Sequence, residues 1–313
     1  MTGMTNIMDE WQDVYRGTFT RDALLGARSW FRCGGTADLL FEPADIDDLS
    51  LFLKEYPLDQ PMMVLGGMAN CIVRDGGVRG CVVRLGKPFS EVKIEGNRIL
   101  AGAGALNGSV ASSAAKAGIG GLEFLSGIPG TIGGALAMNA GAYGTEIKDV
   151  LVAAMTLDRQ GRTVPLSPDD LQMGYRTCRV PEGSVFTGAV FEGKQEDSDT
   201  VRARLKEIKA KRQETQPITE STGGSTFANP TAAALKTAGL PGGMRAWQLV
   251  DKVGGRGLKI GGAQMSEKHC NFMINTVSAT AADLENLGDE LIRRVQEEFG
   301  LTLHWEIKRI GER

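Results

Sequence analysis

Forty-two of the 313 residues are glycine, about twice the usual share, and they fall in separate clusters of mixed sequence. Glycine permits positive φ and lets the main chain approach a ligand closely, so glycine pairs set between apolar segments predict a cofactor wrapped by loops of bare backbone. Tight turns in an α+β protein draw on the same residue, and no single cluster decides between the two. No fixed repeat period is visible, which removes solenoids and propellers. A chain of this length has room for two or three domains. Its net charge of −3 argues against nucleic acid as a partner, since that affinity rests on clustered Lys and Arg.

The five cysteines, Cys33, Cys71, Cys81, Cys178 and Cys270, are scattered and form no Cys-x-x-Cys pair, so neither a disulfide framework nor a zinc site is expected. With only His269 and His304 available, no metal site is expected at all. Met1 to Gly17 carries Asp9, Glu10 and Asp13 and has no apolar core of signal-peptide length. No later apolar run approaches ~20 residues. The expectation is a cytoplasmic protein with no membrane insertion.

Short strands are predicted over Met62 to Leu65, Cys71 to Arg74 and Gly80 to Leu85, punctuated by Gly66-Gly67 and Asp75-Gly76-Gly77. Ala44 to Tyr56 reads as a helix with Asp45, Asp47 and Asp48 in its first turn, where the dipole favours them. Further on come a strand at Arg98 to Ala101, a small-residue helix from Ser109 to Ala117 stopped by Gly118, and strands near Leu151 to Leu157 and Ser184 to Phe191. Val201, Leu205 and Ile208 recur at helical spacing in an otherwise charged stretch, which predicts an amphipathic connecting helix. Leu284, Leu287, Leu291, Val295 and Phe299 form one helical stripe that Gly300 ends. Leu301 to Ile307 alternates and reads as a strand, with Glu306 away from its apolar side.

Gly102 to Gly108 follows a strand and opens a helix, as a Rossmann turn does, but its third glycine comes one residue late and another glycine-rich loop stands where a second parallel strand is required. Two other clusters carry more. Leu65-Gly66-Gly67-Met68-Ala69-Asn70 lies between strands, and Ser126-Gly127-Ile128-Pro129-Gly130-Thr131-Ile132-Gly133-Gly134 joins bare backbone to a hydroxyl. Successive unhindered N–H groups suit a pyrophosphate, and Ile and Pro can lie flat against a ring system.

From Ser29 through Glu306 the chain resembles the UDP-N-acetylenolpyruvoylglucosamine reductases. The motifs that carry the resemblance are Trp30-Phe31-Arg32-Cys33-Gly34-Gly35, Gly127 to Gly134 with Asn139-Ala140-Gly141-Ala142-Tyr143-Gly144, Tyr175-Arg176, Gly224-Ser225-Thr226-Phe227-Ala228-Asn229-Pro230, and Trp305-Glu306-Ile307. The resemblance implies an α+β chain: a two-lobed FAD-binding region of the vanillyl-alcohol-oxidase type, then a C-terminal α/β substrate-binding domain. Its boundaries are expected as an N-terminal extension over 1–20, FAD-binding lobes over 21–88 and 89–197, and the substrate-binding domain with its connecting helix over 198–313. The compact last domain, with Ser266-Glu267-Lys268-His269 to Phe272, is similar to the shorter of the family's two architectures.

By motif, the resemblance makes Ser225 the proton donor, Arg176 the substrate-activating arginine and Glu306 the catalytic glutamate. It assigns Gly66, Gly67, Met68, Ala69, Asn70, Gly127, Ile128, Pro129, Gly130, Thr131, Gly133 and Gly134 to FAD, and Tyr143, Tyr175 and Asn229 to substrate. The implied reaction is NADPH-dependent, FAD-mediated reduction of UDP-N-acetylglucosamine enolpyruvate to UDP-N-acetylmuramate, for peptidoglycan precursors, with no obligate protein partner. Two features depart from the family pattern: Met68 and Ala69 replace a Gly-Ser pair, and Ala228 stands where a lysine is usual. The alternative reading is an FAD-dependent alcohol or sugar oxidase or dehydrogenase, since one flavin fold supports several chemistries. Ser225 and Glu306 speak against it, because an oxidase needs a base to activate its alcohol and gains little from a weak acid.

Overall fold

The computed structural model describes Trp11 and residues 14–313; the acidic N-terminal residues Asp9, Glu10 and Asp13 lie outside the described residues. Two compact units form. One holds the described residues up to Ala23 with Asp38–Gly67 and Gly80–Lys211, and the other holds Leu24–Ala37, Met68–Arg79 and Arg212–Arg313. The stretch 21–88 is therefore shared between both units.

The first unit contains a four-stranded sheet in the order Thr18–Ala23, Ala37–Glu42, Val78–Arg84, Met62–Leu65, whose last two strands pair in parallel, Met62 opposite Cys81 and Leu65 opposite Arg84. The helix Ile46–Glu55 begins where Asp45 caps it, accepting from the Asp47 and Asp48 amides. Its Leu49, Phe52 and Leu53 are buried in an aromatic cluster where Phe41 stacks on Phe19 at 4.4 Å and meets Phe52 at 4.5 Å. A five-stranded sheet follows, ordered Thr163–Leu166, Leu151–Leu157, Val185–Glu192, Arg98–Gly102, Val92–Glu95, and antiparallel throughout. Arg98–Gly102 is thus antiparallel to both neighbours, which rules out a βαβ dinucleotide unit at Gly102 to Gly108. The helix Asn107–Lys116 lies on small residues, Ala111, Ala114 and Ala115 being buried.

In the second unit a four-stranded sheet, ordered Ser221–Thr222, Met273–Asn275, Ala263–Met265, Lys259–Ile260, meets the long helix Ala281–Phe299. Thr280 caps that helix, Gly300 ends it at φ 63°, and Leu284, Leu287, Leu291 and Val295 are fully buried along one stripe. Each such side chain contributes roughly 1.5–3 kcal/mol on burial, as an upper estimate. Gly288 sits inside this helix at a cost of about 1 kcal/mol against alanine. A Cβ there would run into the Trp305 ring, so this glycine makes room for the segment that carries Glu306.

Leu301 to Ile307 is extended but not a strand. Leu301, Leu303 and Ile307 are buried as the alternation demands, yet only Trp305 makes a β-bridge, to Phe227. The strand forms later, at Lys308–Ile310, parallel to Cys71–Val73. It is anchored by the buried Glu285, which accepts from Arg74 at 2.9 Å and Arg313 at 3.2 Å. Breaking such a pair leaves a buried charge without its partner.

Candidate active site

The two glycine loops converge within the first unit. A Cβ on Gly67 would lie 3.2 Å from the Gly130 Cα, and one on Gly66 would collide with the Thr131 Oγ1. The 127–134 loop is held from behind by the stretch that mimics a Rossmann turn. Ile132 and Gly133 amides donate to the Ala105 and Ala103 carbonyls at 2.9 and 2.8 Å, and the Asn107 amide donates to the Gly130 carbonyl at 3.1 Å. The Asn107 Nδ2 reaches the Ile128 carbonyl at 3.3 Å, while its buried Oδ1 has no hydrogen-bond partner among the described residues. Together the loops line a cavity of about 380 Å³ whose wall includes Gly66, Thr131, Gly133 and Gly134 as well as Met62, Val185 and Phe186. A volume in this range, with bare backbone beside apolar wall, suits part of a dinucleotide. These residues fit FAD: unhindered backbone for the pyrophosphate and apolar side chains for a ring.

Gly66 and Gly67 belong to the first unit, and Met68, Ala69 and Asn70 to the second. Met68 has φ 48°, which explains why a glycine is usual at this position: a left-handed backbone costs a side-chain-bearing residue roughly 1–2 kcal/mol. Met68 is 5% exposed, and burial of its side chain offsets that strain.

Arg176, Tyr175 and Tyr143 all lie in the first unit. Tyr143 and Arg176 both have φ 54°, and Asn139 has φ 43°, so three side-chain-bearing residues in one region hold the sparsely populated left-handed conformation that concentrates at functional sites. The Arg176 Nη2 donates to the Gly141 carbonyl at 3.1 Å, and its guanidinium stands 4.9 Å from the Tyr175 ring centroid. Fully buried Asn139 ties the region together. Its Nδ2 donates to the Gly174 carbonyl at 2.9 Å and to Glu146 at 3.0 Å, and its Oδ1 accepts from the Lys148 amide. Tyr143 also fits against Gly127, where a Cβ would meet its ring at 2.5 Å. Lys211 stands 6.0 Å from the same ring. Sequence reasoning gave neither Asn139 nor Lys211 a role: the first sits inside a recognised motif without an obvious partner, and the second lies in a charged helix that reads as solvated.

Ser225, Asn229 and Glu306 belong to the second unit with Asn70. The Glu306 amide donates to the Thr226 carbonyl at 2.8 Å, and the Ala228 amide to the His304 carbonyl at 2.9 Å, so the serine loop and the glutamate segment lie side by side. Gly223 and Gly224 are needed for close approach, since a Cβ would stand 2.6 Å from the Phe31 ring or from the Asn70 Oδ1 respectively. Ser225 is partly exposed and its hydroxyl bonds no described residue. The Asn229 Oδ1 accepts from the Ala246 amide at 3.2 Å, which gives this expected substrate residue a structural partner as well. Cys33 offers no nucleophile: burial, with Asp75 and Asp283 nearby, pushes its thiol up to about 12. No group of three His, Cys, Asp or Glu among the described residues is placed to hold a metal, and no helix among them is long and apolar enough to cross a membrane.

Fold and glycine loops together define an FAD-binding α+β protein, and residues 37–167 match the family model of the FAD binding domain. The solved 6-hydroxy-D-nicotine oxidase of Arthrobacter nicotinovorans shares this fold, at TM-score 0.51 and 15% identity over 92% of this chain and 87% of that one. Residues 216–310 match the C-terminal domain of UDP-N-acetylenolpyruvoylglucosamine reductase. Proteins of that name are 51% identical in Maricaulis maris, over 95% of this chain and 93% of the relative, and 50% identical in Paramagnetospirillum magneticum, over 97% and 96%. The crystal structure of the Thermus caldophilus reductase superposes with TM-score 0.77 at 32% identity, covering 95% of this chain and 99% of that one. The chain belongs to the UDP-N-acetylenolpyruvoylglucosamine reductase family.

Proposed function

We propose that this protein reduces UDP-N-acetylglucosamine enolpyruvate to UDP-N-acetylmuramate in the cytoplasm, with NADPH as reductant. Gly66 to Asn70 and Gly127 to Gly134 would hold FAD, which when bound would supply the hydride carrier between NADPH and the terminal carbon of the enolpyruvyl group. The carbon–carbon double bond then opens and its electron pair moves onto the carboxylate as an enediolate. Arg176 offers that carboxylate a planar fork of donors; in a water-poor site one such preorganised donor is worth about 2.7–4 kcal/mol. Ser225 delivers a proton to the adjacent carbon, completing the lactyl ether. A serine hydroxyl is a weak acid, but an enediolate is a strong enough base to take its proton, so position matters more than pKa. Glu306 lies beside this loop and is assigned to the same proton transfer.

The observation that carries the reading is the bond from the Glu306 amide to the Thr226 carbonyl at 2.8 Å. It sets the two residues of the proposed acid machinery on neighbouring backbone, in a chain whose relatives are named for this reduction. Anaerobic stopped-flow absorbance tests it with Ser225→Ala. Flavin reduction by NADPH is expected near wild type, and reoxidation by the enolpyruvyl nucleotide sugar slower by about 10²–10⁴-fold. Normal reoxidation would remove Ser225 as the proton donor.

A further inference from the structure

The segment Ser266 to Phe272 takes no part in the chemistry described so far, yet it is built as a hydrogen-bonded turn between the strands Ala263–Met265 and Met273–Asn275. Ser266, 2% exposed, accepts at Oγ from the Lys268 and His269 amides, and its own amide donates to the Phe272 carbonyl at 2.8 Å. The Asn271 amide donates to the His269 carbonyl at 2.8 Å. This turn holds Asn271, 5% exposed, against the serine loop of the same unit.

Three hydrogen bonds join them. The Thr226 amide, which belongs to the peptide group following Ser225, donates to the Asn271 carbonyl at 2.7 Å. The Phe227 amide donates to the Asn271 Oδ1 at 2.9 Å, and the Asn271 Nδ2 donates to the Phe227 carbonyl at 2.9 Å. The carboxamide thus pairs with Phe227 as a neighbouring strand residue would, at a place where no strand runs. The Thr226 carbonyl is left facing the Glu306 amide.

We infer that Asn271 is the positioning residue of the proton-delivery step, fixing the peptide plane next to Ser225 and, through Thr226, the register of Glu306. The inference rests on the reading of Ser225 as proton donor. A buried carboxamide satisfied on both its donor and acceptor sides specifies one geometry, and a displacement of about 1 Å at a reacting group costs on the order of 10²-fold in rate.

Three variants of the FAD-loaded protein test this, each followed through both half-reactions. In Asn271→Ala, flavin reduction by NADPH is expected within about twofold of wild type and reoxidation slower by about 10- to 100-fold. The double variant Asn271→Ala with Ser225→Ala is expected to be slower than Ser225→Ala alone by much less than the full Asn271 factor, because what Asn271 does through the serine is already lost. Asn271→Asp supplies a readout that mere loss of stability does not move. A protonated carboxyl reproduces both bonds to Phe227, O–H donating and C=O accepting, whereas the carboxylate cannot donate. Burial raises the pKa of such a group above about 3.9, so reoxidation by Asn271→Asp is expected to recover as pH falls from 8 towards about 5, with no matching rise in wild type. Reoxidation of Asn271→Ala at the wild-type rate beside a slow Ser225→Ala overturns the positioning role alone. A double variant slower than Ser225→Ala by the full Asn271 factor does the same, as does Asn271→Asp without the low-pH recovery, which also carries the test if the alanine variant does not fold. Normal reoxidation of Ser225→Ala overturns the reading beneath it.

Discussion

Asn70 donates from Nδ2 to the main-chain carbonyl of Glu306 at 3.3 Å, and the Lys308 amide donates back to the Asn70 carbonyl at 3.0 Å. One asparagine of the first glycine loop therefore holds the glutamate segment from both sides. Asn70→Ala removes the side-chain half of this clasp. The expected result is a loss of about 0.5–1.5 kcal/mol in stability, read as a lower urea midpoint at unchanged m-value. Slower flavin reoxidation should accompany it. An unchanged midpoint together with unchanged reoxidation would show that the main-chain bond suffices.

Gly66 leaves no room for a side chain because of a single atom. A Cβ there collides with the Thr131 Oγ1, while the Thr131 Cβ stays at an ordinary 3.7 Å. Gly66→Ala is expected to cost about 1–3 kcal/mol of local packing and so to weaken FAD binding about tenfold or more, measured by fluorescence titration of the apoprotein. Thr131→Ala in the same chain removes the obstructing oxygen and should recover most of that loss relative to Thr131→Ala alone, whereas Thr131→Val should not. Equal affinities of the two double variants would show that the glycine is required for its backbone and not for its space.

Ala228 occupies the place of a usual lysine, and its amide bonds to the His304 carbonyl, so a longer side chain can be introduced without losing that bond. Ala228→Lys is expected to leave flavin reduction by NADPH unchanged and to tighten nucleotide-sugar binding about two- to tenfold at low salt. The gain should shrink as ionic strength rises. Calorimetry at two salt concentrations measures it, and equal affinity at both would mean that another Lys or Arg already serves the substrate's anionic groups.

A pH dependence of stability is expected from His269. Burial holds its pKa below the ordinary 6.5, with Arg256 adding to the effect; its neighbours in the aromatic contact are Phe272 and Trp247. A folded-state pKa below the unfolded one means that protonation favours unfolding. The contribution is complete above about 6.5 and is lost as pH falls through the folded value. His269→Gln is expected to flatten the fall in urea midpoint between about pH 7 and 5, above the range where carboxylates titrate. His304 is present in both proteins, so the difference reports on His269 alone. Identical slopes would remove His269 as the source.

Local chemistry made much of this fold legible from the chain alone. The stripe Leu284 to Val295 with Gly300 after it marks the helix Ala281–Phe299 because a 3.6-residue period and a left-handed stop are properties of neighbouring residues. The aspartate cap before Ile46–Glu55 and the strand at Leu151–Leu157 are equally local. So were the glycine loops, whose need for bare backbone is written in residue type, and the motifs that placed the chain in its family.

Partnership is a different matter, because a hydrogen bond selects its partner in space. Leu301 to Ile307 has a strand's alternation and buries its apolar side, but an alternating pattern specifies a face and not a ladder; the ladder waited for Lys308–Ile310 to meet Cys71–Val73. Gly102 to Gly108 has nearly the composition of a dinucleotide turn, and only the antiparallel neighbours of Arg98–Gly102 turned it into a backbone support for Ile132 and Gly133. Ser225, Arg176 and Glu306 could be named from their motifs. The bonds by which carboxamides hold their segments, Asn139 at Gly174, Asn70 at Glu306 and Asn271 at Phe227, could not, because an asparagine's reach is set by the fold around it and nothing in its own neighbourhood of the sequence records which distant carbonyl it will find.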